Sequence, residues 1–214
     1  MRIRLCPWQG LELVLPPGAS EREGRAFVAA RSQWIEQAWS QLRERVPQAF
    51  DAAVPERITL RLLDEEWKLT CDPDAARRST RGQSLRVPVS PDDLDGFRQE
   101  IKPWLRARAS EDLPERVGHV SRETGLKYRR VQIRDQRTRW GSCSSRGTIS
   151  LNLRVLFHRP EVVDYLILHE LCHTRHMNHG PRFKALLARF QPDWRALDRE
   201  LVREGGGVPG WLGW

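Results

Sequence analysis

Two histidines and a glutamate occur close together in the C-terminal third of the 214-residue chain, as His169, Glu170 and His173. Residues four apart on a helix lie on the same face, so both imidazoles can reach one metal ion. Glu170 would lie about 100° around the helix from His169, where its carboxylate can take a proton from a metal-bound water without binding the metal. The spacing therefore indicates a metal-dependent hydrolytic site with Glu170 as the general base.

A third metal ligand is expected, because a catalytic zinc usually has three protein ligands and an open position for water. His176 continues the helical stripe but lies about 10.5 Å along the axis from His169, which is too far for both to bind one ion. His179 precedes Gly180-Pro181, a pair that ends a helix and turns the chain back. We therefore predict His179 as the third ligand, and three later carboxylates are the alternatives: Asp193, Glu200 and Glu204.

The residues around this motif are strongly apolar, which predicts a buried helix from Glu161 to about Met177. Pro160 stands where a proline in the first turn opens a helix. Burying histidines and a glutamate without partners is costly, and a bound ion removes that cost. A histidine-rich helix without a metal is the alternative. One turn before His169, Tyr165 is expected in the core, and the neighbouring Asp164 either orients an imidazole or is a solvent-facing or capping carboxylate.

Two segments of alternating apolar residues before this helix, 131–133 and 149–155, predict strands. The Gly-bounded loop 141–147 lies between them, so we predict a β-hairpin. The edge that includes residues 139–143 is one place where an extended peptide could add by main-chain hydrogen bonds. The alternative is a purely structural hairpin with Trp140 in the core.

The first 125 residues predict a strand-and-helix region that packs on the metal-binding core. Apolar spacing indicates short strands within residues 1–18 and a helix over about 20–46. Further along we predict two strands and an interrupted helix: Arg57–Leu63, Leu85–Val89, and Leu94–Val117 with breaks at Pro103 and Pro114. The fold class is therefore α+β, with three parts: an N-terminal region 1–125, a metal-binding core 126–204 and a Gly-rich tail 205–214.

Three segments together resemble the YgjP-like metallopeptidases: Arg139-Trp-Gly-Ser-Cys143, Ile149-Ser-Leu-Asn152 and His169-Glu-Leu-Cys-His173-Thr-Arg-His-Met-Asn-His179. This family was long known as domain of unknown function 45 and is related to the SprT and WLM-type zincins. The resemblance is strongest from about Tyr128 to Leu201. It implies a zincin-like core that hydrolyses peptide bonds, with one zinc ion on His169, His173 and His179 and with Glu170 as general base.

One position departs from the family's pattern. After the third histidine the family typically has Phe-Trp, whereas this chain has Phe183-Lys184, a difference that concerns helix packing or the cleft wall and not the ligands. The metzincins share the histidine spacing but have glycine at the position of His176 and a methionine turn after the third histidine. Because Met1 and Met177 are the only methionines, a metzincin is excluded.

The chain carries a formal net charge of +8. Residues 122–159 contain ten basic and two acidic side chains, a local charge equal to that of the whole chain. Such a segment attracts anionic partners, and the SprT and WLM-type relatives act on proteins attached to DNA. The alternative function is therefore a nucleic-acid-associated zinc module with restricted or no proteolysis, which acts near DNA through this basic segment.

No apolar run approaches the length of a bilayer span, and the N-terminus lacks the apolar stretch of a signal peptide. We therefore expect a cytoplasmic protein that acts on peptides or proteins and does not associate with membranes. The four cysteines are scattered without a CxxC pair, which favours free thiols. Cys172 is expected to be a buried thiol, and no base pairs with a cysteine nucleophile.

Overall fold

The structure is a computed structural model that describes residues 1–6, 10–45, 47–50, 53–136, 138–203 and 208–213. The chain forms two compact units, one of residues 1–53 with 207–214 and the other of residues 54–206. Helices and strands occur in both, so the predicted α+β class is confirmed. The division near residue 125 remains a prediction, and the start of the Gly-rich tail and Trp214 lie outside the described residues.

The N-terminal unit contains a hairpin and two helices: β1 (Arg2–Cys6), β2 (Gly10–Val14), α1 (Glu21–Ala29) and α2 (Ser32–Arg45). The strands pair antiparallel, as the alternation predicts. Ser20 and Glu23 cap each other's backbone N–H groups and so start α1. The prediction of one helix over 20–46 is wrong, because the chain leaves the α-helix in a tight turn in which the Arg31 N–H bonds the Val28 carbonyl at 3.0 Å.

The first sheet of the larger unit has four strands: β3 (Arg57–Leu60), β4 (Glu65–Cys71), β5 (Ser79–Arg81) and β6 (Ser84–Val87). Their order is β3-β4-β6-β5, and only β4 and β6 run parallel. The two predicted strands overlap β3 and β6, but the first is shorter because residues 61–63 form a 3₁₀ turn. β4 and β5 were not predicted from the sequence, because they carry many exposed polar side chains.

The long helix α3 (Leu94–Thr124) runs unbroken through Pro103 and Pro114, so the predicted interruptions are wrong. A proline inside a helix costs about 3 kcal/mol, because it removes one hydrogen bond and crowds the preceding turn. Burial of one continuous apolar stripe offsets this cost; its members recur every four residues and are fully buried: Phe97, Ile101, Leu105, Ala109, Leu113 and Val117. Among the described residues, neither α3 nor another helix is both long and apolar enough to cross a bilayer.

The second sheet contains β7 (Arg130–Arg134), β8 (Gly141–Cys143) and β9 (Thr148–Asn152), in the order β7-β9-β8. The predicted hairpin is wrong, since β7 runs parallel to β9 and the antiparallel partner of β9 is β8. The Asn152 side chain holds this crossover by donating to the carbonyls of Gln136 and Arg139, at 2.7 and 2.9 Å. Gly141–Cys143, the first part of the predicted loop 141–147, thus form an edge strand.

Three helices complete the larger unit: α4 (Pro160–Cys172), α5 (Pro181–Phe190) and α6 (Trp194–Arg203). Pro160 occupies the first turn of α4, as predicted, and α4 is almost entirely buried. The predicted helix end near Met177 is wrong, because α4 stops at Cys172. Beyond it the N–H groups of His173 and Thr174 bond carbonyls three residues back, which tightens the chain into a turn.

Candidate active site

The three predicted ligands meet at the C-terminal end of α4. The Nε2 atom of His179 lies 2.9 Å from Nε2 of His169 and 3.1 Å from Nε2 of His173. Tetrahedral zinc with Zn–N bonds of 2.0–2.1 Å separates its ligand nitrogens by about 3.3 Å, so the observed spacing fits one ion. Within the described chain, no other group of three His, Cys, Asp or Glu residues brings its donor atoms this close.

The early end of α4 is what brings His179 back to the helix. The turn leads to Gly180 and then to α5, which begins with Pro181 in its first turn. His176 lies in this turn, and its imidazole is outside the cluster. Its backbone carbonyl lies 3.0 Å from Nδ1 of His173. Because a carbonyl only accepts, Nδ1 of His173 carries the proton and Nε2 presents a lone pair to the centre of the cluster.

A short chain of polar groups holds His169 in a similar way. The Tyr165 hydroxyl donates to Oδ1 of Asp198 on α6 at 2.7 Å and lies 3.4 Å from Nδ1 of His169. Since the hydroxyl proton is directed at Asp198, the phenol oxygen can only accept from His169, and Nε2 of His169 is left with its lone pair. Tyr165 is buried, as predicted, and burial together with Asp198 raises its pKa.

Asp198 was missed in the sequence, and the carboxylates that were considered lie elsewhere. Asp164 forms a two-point ion pair with Arg116, at 2.6 and 2.8 Å, so it does not orient an imidazole. Glu200 is paired with Arg159 at 2.6 Å, and Asp193 is outside the cluster. Glu204 lies outside the described residues. The feature of the sequence that could have identified Asp198 is its position near Leu197 and Leu201, the buried apolar residues of α6.

The imidazoles of His169 and His173 are neutral at neutral pH. Burial, reinforced by the neighbouring His173 and His179, lowers the pKa of His169 to about 4. Burial also lowers the pKa of His173, although the hydrogen bond to the His176 carbonyl opposes this. Nε2 of His169 and Nε2 of His173 both present lone pairs to Nε2 of His179, which can donate a proton to only one of them, whereas a cation at the centre satisfies all three nitrogens.

Phe183 on α5 forms the apolar wall of the cluster. Its ring stacks on His173 with centroids 4.6 Å apart and contacts His169 and His179 edge-on at 4.9 and 4.8 Å. Only 2% of Phe183 is exposed. The sequence predicted that Phe183-Lys184 affects helix packing or the cleft wall, and the structure shows Phe183 against every ring of the cluster. It therefore limits the rotation of all of them.

Glu170 is buried between α4 and β8. Its exposed fraction is 6%, and burial raises its pKa to about 8, against the opposing effect of the Arg139 guanidinium. A Cβ atom at Gly141 of β8 would lie 2.7 Å from Oε1 of Glu170, closer than side chains tolerate. Glycine at position 141 is therefore what allows the carboxylate to lie directly against the strand.

β8 is an edge strand with a free side next to Glu170. Its pairing with β9 uses the Trp140 carbonyl, which accepts from Asn152 N–H, and the Ser144 N–H, which donates to the Thr148 carbonyl. Main-chain groups alternate sides in an antiparallel ladder, so those of Gly141 and Cys143 point away from β9. No strand in the described part of the chain pairs with that side. An extended peptide can therefore add there.

Two cavities adjoin the histidine cluster. One, of about 210 Å³, extends from His169 and Glu170 past Tyr165 and Asp198. The other, of about 330 Å³, is called the basic pocket below; six of its lining residues are Lys127, Arg129, Arg146, His173, Thr174 and Met177. A larger cavity of about 460 Å³ contains none of the three histidines. Glu170 is not among its lining residues either, so we assign this cavity no part in the site.

Cysteine chemistry is not supported at this site. Cys143 and Cys172 are free thiols, and burial raises their pKa values to about 11 and about 12. A thiol is nucleophilic only as a thiolate, so neither is reactive at neutral pH. The interpretation of Cys172 as a buried thiol is confirmed.

The cations of segment 122–159 do not form one continuous surface. Arg154 is buried in an ion pair with Asp135, and Arg159 is paired with Glu200. Arg137 lies outside the described residues. Part of the local charge is therefore neutralised inside the fold.

Comparison with known proteins gives one match to a protein family: the sequence model described as "YgjP-like, metallopeptidase domain" matches residues 1–204. The crystal structures that are similar to part of the chain include two of metallopeptidase zymogens. Abylysin of Pyrococcus abyssi is 22% identical over 42% of this chain and 91% of its own, with a TM-score of 0.39. Jannalysin of Methanocaldococcus jannaschii is 22% identical over 42% and 93%, with a TM-score of 0.38. No curated protein matches the chain significantly.

Proposed function

The chain belongs to the YgjP-like metallopeptidase family, and from this premise we propose that it hydrolyses peptide bonds with one zinc ion, which His169, His173 and His179 hold. The family resemblance seen in the motifs is thereby confirmed. The observation that carries the proposal is the convergence of three Nε2 atoms, two pairs of them 2.9 and 3.1 Å apart, beside a buried carboxylate at a free strand edge.

The donor set suits zinc. Three imidazoles match its preference for nitrogen ligands, and a zinc ion held by them would have a fourth position left for water and substrate. When bound there, zinc supplies a Lewis acid that lowers the pKa of water toward neutrality. The protein's part is to keep the imidazoles deprotonated at Nε2, which the His176 carbonyl does for His173 and the Tyr165 hydroxyl does for His169.

Glu170 is proposed as the general base. It is next to a ligand in sequence, is buried with its pKa raised to about 8, and lies against the strand to which a peptide can add. A base works best when its pKa is near the operating pH, because it then both accepts a proton and gives it up again. Glu170 can thus take the proton from the attacking water and pass it to the departing amine.

The peptide is proposed to bind as an added strand on β8. The main-chain groups of Gly141 and Cys143 would bond the substrate backbone, which gives affinity without choosing its side chains. Glu170 lies directly against Gly141, so a peptide bond in that register comes within reach of the base. Arg139 lines the cavity beside Glu170 and is placed to bind a developing negative charge.

The alternative of a zinc module that binds nucleic acid keeps one supporting observation, the charge of segment 122–159. A peptidase can also carry such a surface, so peptide hydrolysis and DNA binding are measured separately. The proposed localisation in the cytoplasm and the absence of membrane association rest on the sequence alone.

The test compares the wild type with Glu170→Gln for zinc content and for hydrolysis of a mixture of peptides. We expect about one zinc per chain in both and hydrolysis only by the wild type, with a loss of at least about 10²-fold in the variant. Glutamine keeps the shape of the side chain but cannot accept the proton. Zinc-free wild type after zinc is offered, or full activity of Glu170→Gln, would contradict the proposal.

A further inference from the structure

We propose that the basic pocket selects substrates that have an acidic side chain next to the cleaved bond. The inference rests on the proposed peptidase function and names its substrate class, peptides in which Glu or Asp flanks the scissile bond. The observations behind it are the position of the pocket, the exposed cations that line it and the backbone hydrogen bonds that hold two of them.

The pocket opens directly beside the histidine cluster. His173 contributes to both, and Thr174 and Met177 continue the wall along the turn that follows α4. A group that enters this pocket is therefore next to the atoms that would react. At about 330 Å³ the cavity is of the size of a small ligand site and accommodates one side chain of a bound peptide.

Three cations line the pocket: Lys127 and Arg129 from the segment before β7, and Arg146 from the turn between β8 and β9. All three are exposed, and in the described part of the chain none of their side chains has an ion-pair or hydrogen-bond partner. Among the described residues, none of those that line the pocket is acidic. The cations of Arg154 and Arg159, in contrast, are neutralised by carboxylates.

The two arginines are fixed to each other through the backbone. The Arg129 N–H donates to the Gly147 carbonyl at 2.8 Å. Arg146 lies in the turn that Ser144 closes, since the Ser144 carbonyl accepts from Gly147 N–H at 2.9 Å and its Oγ accepts from Thr148 N–H at 3.1 Å. Gly147 has φ of +74°, a conformation that favours glycine. A carboxylate that enters the pocket therefore meets two guanidinium groups whose backbone is held in place by hydrogen bonds.

The shape of the pocket favours a side chain over a nucleic-acid backbone. Duplex DNA carries phosphates in a regular row and is bound by cations spread along a surface. Here the cations surround a concavity whose wall includes the apolar side chain of Met177, 55% exposed. The methylene groups of a glutamate can pack on Met177 while its carboxylate reaches the cations.

The test uses zinc-loaded protein and pairs of fluorogenic peptides that differ only in Glu or Lys, placed in turn at each of the three positions on either side of the bond. We expect the wild type to cleave the Glu peptide with a kcat/KM about tenfold or more above that of the Lys peptide at one or more positions. The double variant Arg129→Glu/Arg146→Glu should reverse this preference and keep its zinc.

The matched control is Arg130→Glu/Arg134→Glu, which makes the same charge change on exposed residues of β7 outside the pocket. It should retain the wild-type preference. Fluorescence anisotropy of the same peptides with zinc-loaded Glu170→Gln measures binding without turnover. The Glu peptide should bind to this protein more tightly than the Lys peptide. The difference should disappear when Arg129→Glu/Arg146→Glu, the pocket variant, is combined with Glu170→Gln in one chain.

The outcomes separate the two proposals. Hydrolysis without preference for Glu at any position, unchanged in the pocket variant, overturns the pocket inference and leaves the peptidase intact. Tighter binding of the Glu peptide without hydrolysis overturns the peptidase and supports the pocket. If a DNA duplex displaces the peptides and the pocket and control variants weaken duplex binding equally, the segment is a nucleic-acid surface and the pocket inference is wrong.

Discussion

Gly141 of β8 lies against the carboxylate of Glu170 on α4, so closely that a Cβ at position 141 would be 2.7 Å from Oε1. The contact joins the proposed base to the strand on which the peptide is proposed to bind. It also explains, in physical terms, the glycine in the Arg139–Cys143 segment: this backbone does not need the left-handed conformation, but it needs room for the side chain that faces it.

Gly141→Ala is therefore expected to displace the Glu170 carboxylate and to lower kcat by about 10²-fold, since a small misplacement of a catalytic group has effects of this size. Zinc content should stay at the wild-type level, because the atoms nearest to an added Cβ at position 141 belong to Glu170 and not to a predicted zinc ligand. Steady-state kinetics with parallel metal analysis checks this, with Ser142→Ala as the control on the same strand. Wild-type kcat in Gly141→Ala would show that Glu170 has freedom to move.

His179→Ala is expected to abolish stoichiometric zinc binding, whereas His176→Ala should retain it. The imidazole of His179 is within 3.1 Å of both other ring nitrogens, while His176 contributes its backbone carbonyl, which alanine preserves. Elemental mass spectrometry on the purified proteins measures the difference. Loss of zinc in His176→Ala with retention in His179→Ala would show that His179 is not the third ligand.

Asp198→Asn and Tyr165→Phe are expected to weaken zinc binding by about 10–100-fold without removing a ligand, the usual effect of losing a group that orients a metal-bound histidine. Tyr165→Phe removes the oxygen that accepts from His169, and Asp198→Asn loses the charge that holds the Tyr165 hydroxyl. Competition with a chelating dye gives the affinities, and Asp193→Asn at the start of α6 is the control. Equal affinities in all of these proteins would remove Asp198 and Tyr165 from the site.

His158 should make the fold sensitive to acid. Only 1% of it is exposed, and its pKa is lowered from 6.5 to about 4, chiefly by burial. Between these values the unfolded chain binds more protons than the folded one, so the stabilisation is complete above about pH 6.5 and is lost as the pH falls toward 4. The shift corresponds to about 3 kcal/mol.

Replacing His158 with Phe should remove this part of the pH dependence. The substitution is tolerable because Nε2 of His158 has no hydrogen-bond partner among the described residues and the ring packs edge-on against Trp140 at 4.6 Å. Urea unfolding of the zinc-free wild type and His158→Phe at about pH 7.5 and about pH 4.5 gives the free energy of unfolding of each protein at each pH. If both proteins lose the same stability on acidification, His158 is protonated without cost to the fold.

The local sequence pattern predicted a helix or strand correctly wherever that element depends only on its own residues. The alternating apolar residues of β1 and β2, and Pro160 at the start of α4, predicted those elements. The same pattern failed where packing between distant segments decides whether a helix or strand forms. α3 continues through Pro103 and Pro114 because its buried stripe outweighs their cost, and β8 is a strand because β9 and Asn152 hold it.

The sequence by itself determined which residues could bind a metal, since the spacing of His169, His173 and His179 and the glycine-proline turn after them are local features. It also determined the family, through motifs that occur in a recognisable order. Only the tertiary structure decided what surrounds those residues. Asp198 on α6, Phe183 on α5 and the cations of the basic pocket reach the site from segments far apart in the chain. Helical and strand periodicity describes neighbours along the chain, whereas these contacts depend on how whole elements pack.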